Sequence, residues 1–315
     1  MTKAPDRQSG ERPWCLVMAL WGDKYGAAHV NELAGEARRQ APGLTKIVLL
    51  TDRHRPDVAP MVSQAAFPDY FQRPEFFQDG YRIKLSIFSR LVLPADMPCL
   101  FVDLDTIVLG DLGRIAALVS GPTDCFMMPP TGLGFGRLRR ITDRIRPGMN
   151  YPTGNSSLVA FHSGAEPNLA ETFQRMHAAG TDVDARYMLI DDRFISWFAR
   201  DNLRAIPNDL AVMFRREFLS RSLTWLWLRG RLPAVRRRRE GLVAITLNGA
   251  AFSADSMADM AEGTLIREAK GRKGYWSESW IGPSWQKIIA SCRRVVAARQ
   301  TAGAASPEVA PESRR

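Results

Sequence analysis

The sequence predicts an α/β protein with a mainly parallel sheet flanked by helices. Short continuous apolar runs read as strands buried on both faces, and amphipathic stretches of helical length lie between them. Two acids at the end of the third run mark the side of the sheet where ligands bind.

In chain order, "WCLVMALW" (14–21) is the first buried strand, "GDKYG" a loop, and His29 to Gln40 an amphipathic helix. "KIVLLTD" (46–52) is the second strand and ends on a carboxylate. "YRIKLSIFSRLVL" (81–93) carries apolar residues at helical spacing until Pro94 stops it, and "CLFVDLD" (99–105) is the third strand. "DCFMMPP" (124–130), "SSLVAFH" (156–162) and "GLVAITLNG" (241–249) are later strands. "LAETFQRMHAAG" (169–180) and "DDRFISWFARD" (191–201) read as helices, the second with two acids at its positive end. "YWSESWIGPSWQKIIASCRRVV" (275–296) reads as a loop and a C-terminal helix.

At 315 residues with 45% hydrophobic content, the chain supports one large domain with an ample core. We expect that domain at 13–299, between polar, disordered tails at 1–12 and 300–315. No apolar run reaches the roughly 20 residues that span a bilayer, and "MTKAPDRQSGERP" has no secretory apolar segment. Cys15, Cys99, Cys125 and Cys292 are scattered without zinc or disulfide spacing, so a reducing cytoplasm is the expected location. The net charge of +10 suits an anionic lipid surface, nucleic acid or an acidic substrate.

Asp103 and Asp105, one residue apart on a strand, project to one side at the C-terminal edge where α/β sheets bind ligands. Converging carboxylates repel unless a cation lies between them, and a hard divalent ion such as Mn²⁺ or Mg²⁺, also holding a diphosphate, supplies it. A solvated strand end is the bland alternative. The other alternative is a haloacid-dehalogenase-like phosphatase, because "FVDLDTIV" also fits that nucleophile motif. Asp103 would then attack phosphorus and Asp105 act as acid/base, with Asp191 and Asp192 as the later pair. That chemistry needs a downstream lysine, and none occurs between Lys84 and Lys270.

The ordered set of motifs resembles GT-A fold (Rossmann-like) glycosyltransferases of the family-8 kind, the glycogenin and lipopolysaccharide galactosyltransferase-like group, and a bacterial branch of it. "ALWGDKYG" (19–26) resembles the opening nucleotide-binding strand and loop, where Trp21 either stacks on a base or packs in the core. "LLTD" resembles the second strand end, whose acid, here Asp52, faces base or ribose; "IKLSIF" resembles the helix whose lysine, here Lys84, approaches the diphosphate. "FVDLDTIVLGDL" resembles the metal-binding D-x-D strand, with Leu104 between the two acids. "NSSLVAF" resembles the sugar-pocket strand, bringing Asn155, Ser156 and Ser157, and "IDDRFIS" the segment where Asp191 or Asp192 holds sugar hydroxyls and stabilises the oxocarbenium-like centre. The resemblance implies a nucleotide-sugar donor, Mn²⁺ or Mg²⁺, retention of anomeric configuration and a glycan or lipid-linked acceptor. It covers about residues 14–250. Two positions depart from the pattern. Asn248 stands where the family places a metal-binding histidine, and Arg215 in "MFR" (213–215) stands where it places a lysine. The departures imply weaker metal binding, or a member that binds donor without turning it over.

Among other residues, His29 and His54 read as surface or capping histidines, and His162 as an ordinary residue or one reaching the acceptor side. "GLGFGRLRR" (132–140) reads as a loop near the site. From Phe214 to Arg239, Phe218, Leu219, Trp225, Leu226, Trp227 and Leu228 interleave with arginines up to "RRRR" (236–239). The segment, bounded as 214–240, reads either as a peripheral contact with the inner face of a membrane or as a half-buried helix with a basic loop. No nucleic-acid motif accompanies the charge, so no nucleic-acid partner is expected.

Overall fold

The computed structural model describes residues 12–129, 154–180, 185–247 and 252–305. Asn248 and "GLGFGRLRR" lie outside the described residues.

The strands are β1 (Trp14–Leu20), β2 (Leu44–Thr51), β3 (Ser63–Ala66), β4 (Pro98–Val102), β5 (Thr106–Val108), β6 (Cys125–Met128), β7 (Asn155–His162), β8 (Leu203–Ala205), β9 (Ala211–Met213), β10 (Ala244–Thr246), β11 (Thr264–Arg267) and β12 (Lys273–Trp276). Among the described residues, seven form one sheet in the order β3-β2-β1-β4-β7-β6-β8. Only β7 runs against the others, pairing antiparallel with β4 and β6. The predicted class, α/β with a mixed, mainly parallel sheet flanked by helices, is the observed one.

Alternate residues of each strand enter opposite cores, as a period of two requires. Leu16, Met18, Leu100, Val102 and Leu158 face one side, with Val30, Leu33 and Ala37 of helix α1 (Ala27–Gln40). Cys15, Val17, Cys99, Phe101 and Val159 face the other, covered by the 3₁₀ helix Arg82–Phe88, α2 (Leu169–Ala178) and α3 (Asp191–Phe198). Both faces are therefore dry, which is why the central strands read as unbroken apolar runs.

A small sheet, β5-β10-β9, and the hairpin β11–β12 build a third core with Phe214, Phe218, Trp276 and Trp285. Into it packs α6 (Ser284–Ala305), through Ile288 and Cys292. Arg294 of α6 also pairs with Glu32 and Glu36 of α1, tying the C-terminal helix to the main domain. Between these parts lie α4 (Leu223–Arg231) and α5 (Pro233–Glu240).

Several details differ from the sequence reading. The stretch 81–93 is helical only over Arg82–Phe88 and is 3₁₀, because Ser89 is already extended. Helix α6 runs through Ala305, past the expected domain end at 299, since its Ala-rich terminus continues the helix. The tract 275–296 opens on a strand, β12, rather than a loop. All four cysteines are free and buried. No helix of the described residues is long and apolar enough to cross a membrane.

Candidate active site

The D-x-D acids sit just beyond the sheet rather than on it. Strand β4 ends at Val102, and residues 103–105 form a turn closed by the Thr106 amide donating to the Asp103 carbonyl (3.0 Å). Both carboxylates nevertheless line one cavity of about 190 Å³ at the C-terminal edge of β4, with Leu104 between them. Both residues reach this cavity by a turn rather than by strand pleating. The antiparallel β7 completes this edge: Val102 pairs with Leu158, and the Asp103 amide donates to the Ser157 carbonyl (2.8 Å). The start of β7, Asn155–Ser157, is thereby delivered to the end of β4.

Lys84 enters from the 3₁₀ helix, and its Nζ lies 2.8 Å from each carboxylate oxygen of Asp103. Burial opposes charge on this amine, but Asp103, Asp191 and Asp105 outweigh it and hold the pKa above the usual lysine range. The nearby acids thus favour the ammonium form.

At the first turn of α3, Asp191 Oδ2 accepts from Ser156 Oγ (2.6 Å) and Asp192 Oδ1 from the Ser156 amide (2.6 Å). One serine thus anchors both acids, which also meet the positive end of the helix. Burial raises both, and it pushes Asp191, only 2% exposed, up to about 7 against the opposing charge of Lys84. Asp191 can therefore exchange a proton near neutrality.

The loop after β1 supplies the remaining wall. Trp21, Lys24 and Tyr25 line the cavity, facing Gly80 and Tyr81. Gly80 has φ 66°, and an added Cβ would lie 3.6 Å from the Trp21 indole nitrogen, so the turn seats the ring closely. Burial, then Asp105 and Asp103, raise the Tyr25 pKa, so the phenol stays protonated and can donate towards the acids.

Three predicted residues take other places. Asp52 accepts from the Gly22 amide (3.0 Å) and from Arg55 (2.7 Å) and Arg53 (3.2 Å), bracing the β1–α1 loop from outside the cavity lining. Burial opposes ionisation of Asp52, but the Arg55 and Gly22 hydrogen bonds prevail and lower its pKa. Arg215 pairs with Glu268 at 3.5 Å and does not line the cavity. His162 ends β7, seven residues from Asn155 and so about 23 Å away, on the opposite edge. It lines a separate cavity, and the acceptor role weighed for it is withdrawn. Lys24, Tyr25 and Tyr81 were not picked out from sequence. The signal for the first two was their place in a Gly-flanked loop directly after a parallel strand, on the ligand edge.

Leu247, just after β10 and the last described residue before Asn248, reaches the turn at 103–105. The Leu247 amide donates to the Asp105 carbonyl (2.9 Å), and Thr106 and Thr246 hydroxyls meet at 3.2 Å.

No family model matches the sequence, and no curated protein does. Solved structures do match the fold. The bifunctional glycosyltransferase WbbM, in its apo structure, superimposes over 92% of this chain with TM-score 0.52 and 14% identity. This chain spans about half, 53%, of WbbM. The galactosyltransferase LgtC, solved with donor and acceptor sugar analogues, matches over 88% of this chain and 95% of its own, with TM-score 0.50 and 12% identity. The chain has a GT-A glycosyltransferase fold. On this GT-A fold the described carboxylates, lysine and β1–α1 loop occupy the sheet's C-terminal edge.

Proposed function

We propose that the protein is a glycosyltransferase that binds a nucleotide-sugar donor in the cleft lined by Trp21, Lys84, Asp103 and Asp105. The observation that carries this reading is the meeting of both D-x-D carboxylates with Lys84 on one cavity at the C-terminal edge of β4. The fold likeness to WbbM and LgtC supports it.

The donor set fits a hard cation. Among the described residues no group of three or more His, Cys, Asp or Glu is placed to hold a metal. Mg²⁺ commonly takes one or two carboxylates and completes its shell with substrate phosphates and water, so Asp103 and Asp105 are a sufficient protein share. By resemblance, Asn248 would be the further oxygen ligand. When bound, Mn²⁺ or Mg²⁺ would offset the charge of the departing diphosphate.

The chain's own residues do the rest. Lys84, whose ammonium form the nearby acids favour, stabilises negative charge developing on the leaving phosphate. Trp21 offers a face to the base. Asn155, Ser156, Ser157, Asp191 and Asp192 are not among the residues lining this cavity; by resemblance they would border the sugar side, with the two acids, held by Ser156, accepting from sugar hydroxyls and stabilising positive charge at the anomeric carbon. Burial raises the Asp191 pKa and so favours its protonated form. Transfer retains configuration by resemblance, and the acceptor is a glycan or lipid-linked glycan precursor. A cytoplasmic location in a bacterium is part of the same proposal.

A panel of nucleotide sugars, each with and without Mn²⁺, tests this by thermal shift. A donor at 100 times its Kd adds about 2.7 kcal/mol to stability. No shift with any donor at millimolar metal overturns the reading.

One observation favours donor binding without transfer: Asp103 is already bound through both oxygens by Lys84. Single-turnover transfer from the donor found above separates the two. The phosphatase reading loses its basis in fold, since the sheet is that of a GT-A protein. Metal-dependent phosphate release abolished by Asp103→Asn would restore it.

A further inference from the structure

The Trp- and Arg-rich segment is divided by the fold into an inward and an outward set. Phe214, Phe218 and Leu219 are buried in the third core and unavailable to a membrane, so for Phe218 and Leu219 the half-buried alternative is the one observed. Glu217, 3% exposed, accepts from Arg229, Arg238 (2.6 Å) and Arg239 (2.7 Å), and this clamp fixes both α4 and α5 to the domain.

What remains outside is concentrated. Among the described residues, eight large apolar side chains are exposed, and four of them, Trp225, Trp227, Leu228 and Leu232, fall within eight positions. At about 100° per residue, Leu223, Leu226, Arg229 and Gly230 share the inward arc of α4. Trp225 and Trp227 stand at the two margins of the outward arc, with Leu228 and Arg231 between them. Leu226 is the buried residue of this helix, and Ser222 caps it through the Trp225 amide (3.2 Å). The Arg231 guanidinium lies 3.6 Å from the Trp227 ring centroid, a cation seated on an indole. Arg221, Arg236 and Arg237 are also exposed nearby. From 221 to 240 there are seven arginines and one acid, Glu240.

We infer that α4 and α5 form a docking surface for an anionic lipid bilayer, with Trp225, Trp227 and Leu228 at headgroup depth and Arg221, Arg231, Arg236 and Arg237 among the phosphates. Charge complementarity selects this occupant. An apolar face alone would suit a second copy, but two like-charged arginine patches would then repel. Two weak signals, an apolar wedge and a basic patch, are what reversible peripheral binding requires. Each exposed arginine near such a surface contributes roughly fivefold in partition. The inference is independent of the donor reading, because vesicle binding is measured without donor and donor binding without vesicles.

The test is flotation of the full chain with phosphatidylglycerol/phosphatidylcholine vesicles and with pure phosphatidylcholine, at low and high salt. Binding is expected only to the anionic vesicles, lost in high salt. Arg236→Gln with Arg237→Gln should weaken it about 25-fold. Trp225→Ala, Trp227→Ala and Leu228→Ala combined should abolish it, while Arg38→Gln with Arg39→Gln, an equal charge change elsewhere, should leave it intact. Absence of binding to anionic vesicles overturns the inference, and so does equal binding by the triple variant or equal loss in the control. A shift from dimer to monomer in the triple variant, with vesicle binding unchanged, would assign the face to a second copy instead.

Discussion

Two buried charge clusters in this protein are near mirror images. Beside the cavity at the end of β4 one lysine, Lys84, feels the charges of Asp103, Asp105 and Asp191. At the root of α4 and α5 one carboxylate, Glu217, lies among Arg229, Arg238 and Arg239. Burial raises the pKa of a carboxylate in both places, yet the outcomes are opposite. Three arginines bind Glu217 directly and hold it below its usual range, whereas Asp191 and Asp192 rise. A carboxylate saturated with guanidinium donors is a fastener. An excess of acids over cations in a cleft instead leaves negative charge that a divalent ion, or a transition state with a cationic centre, can use.

The largest expected effect breaks the fastener. Glu217→Gln leaves Arg239, 4% exposed, as a buried charge without its carboxylate. Breaking such a pair costs about 3–5 kcal/mol, read as a lower urea midpoint. If stability is unchanged, the contrast between the two clusters fails. Asp105→Asn, which leaves the Lys84–Asp103 pair intact, should do the reverse, leaving the urea midpoint within about 1 kcal/mol and reducing transfer by roughly 10²–10³-fold. Isothermal titration with donor and Mn²⁺ would register the same loss in binding. A large stability cost with normal donor binding would make Asp105 structural.

The next effect is one of pH. Asp191 binds its proton more tightly folded than unfolded, so the folded state holds more protons between about pH 4 and pH 7. Stability therefore falls as pH rises through that window. From pH 5.5 to 7 the loss is roughly 2 kcal/mol, and Asp191→Asn should flatten it in metal-free urea titrations. An identical slope in parent and variant would mean that Asp191 is ionised throughout.

Much of this was legible beforehand because the central sheet is buried on both faces. β1, β2 and β4 show as unbroken apolar runs, and the acids that follow them mark the ligand edge. β3 was missed, since its residues, "SQAA", are half-exposed and carry no apolar signal at a sheet edge. The direction of β7 was equally hidden, because a strand buried on both faces looks the same read either way. Asp103 and Asp105 drew attention by their spacing, and a turn rather than a strand brings both residues to one cavity. Glu217 was not found: within an arginine-rich tract a single acid looks like surface, and only tertiary packing turns three arginines onto it. Asp52 shows the converse, an acid at the ligand edge whose bonds go to Gly22, Arg53 and Arg55.

The smallest effect sharpens the contrast at its finest grain, between neighbouring residues of α4. Leu226 is 2% exposed and Trp225 58%, although one peptide bond separates them. Leu226→Ala should cost about 2–5 kcal/mol, since the clamp and the third core leave little freedom to fill the space. Trp225→Ala should change stability by less than about 0.5 kcal/mol, because an exposed ring buries little on folding. Both readings come from the same urea titrations. A large cost for Trp225→Ala would mean that the outward face of α4 packs on this chain in solution, and no bilayer would then be needed to cover it. Near-zero cost leaves an indole that folding does not use, placed beside exposed arginines where an anionic headgroup layer would use it.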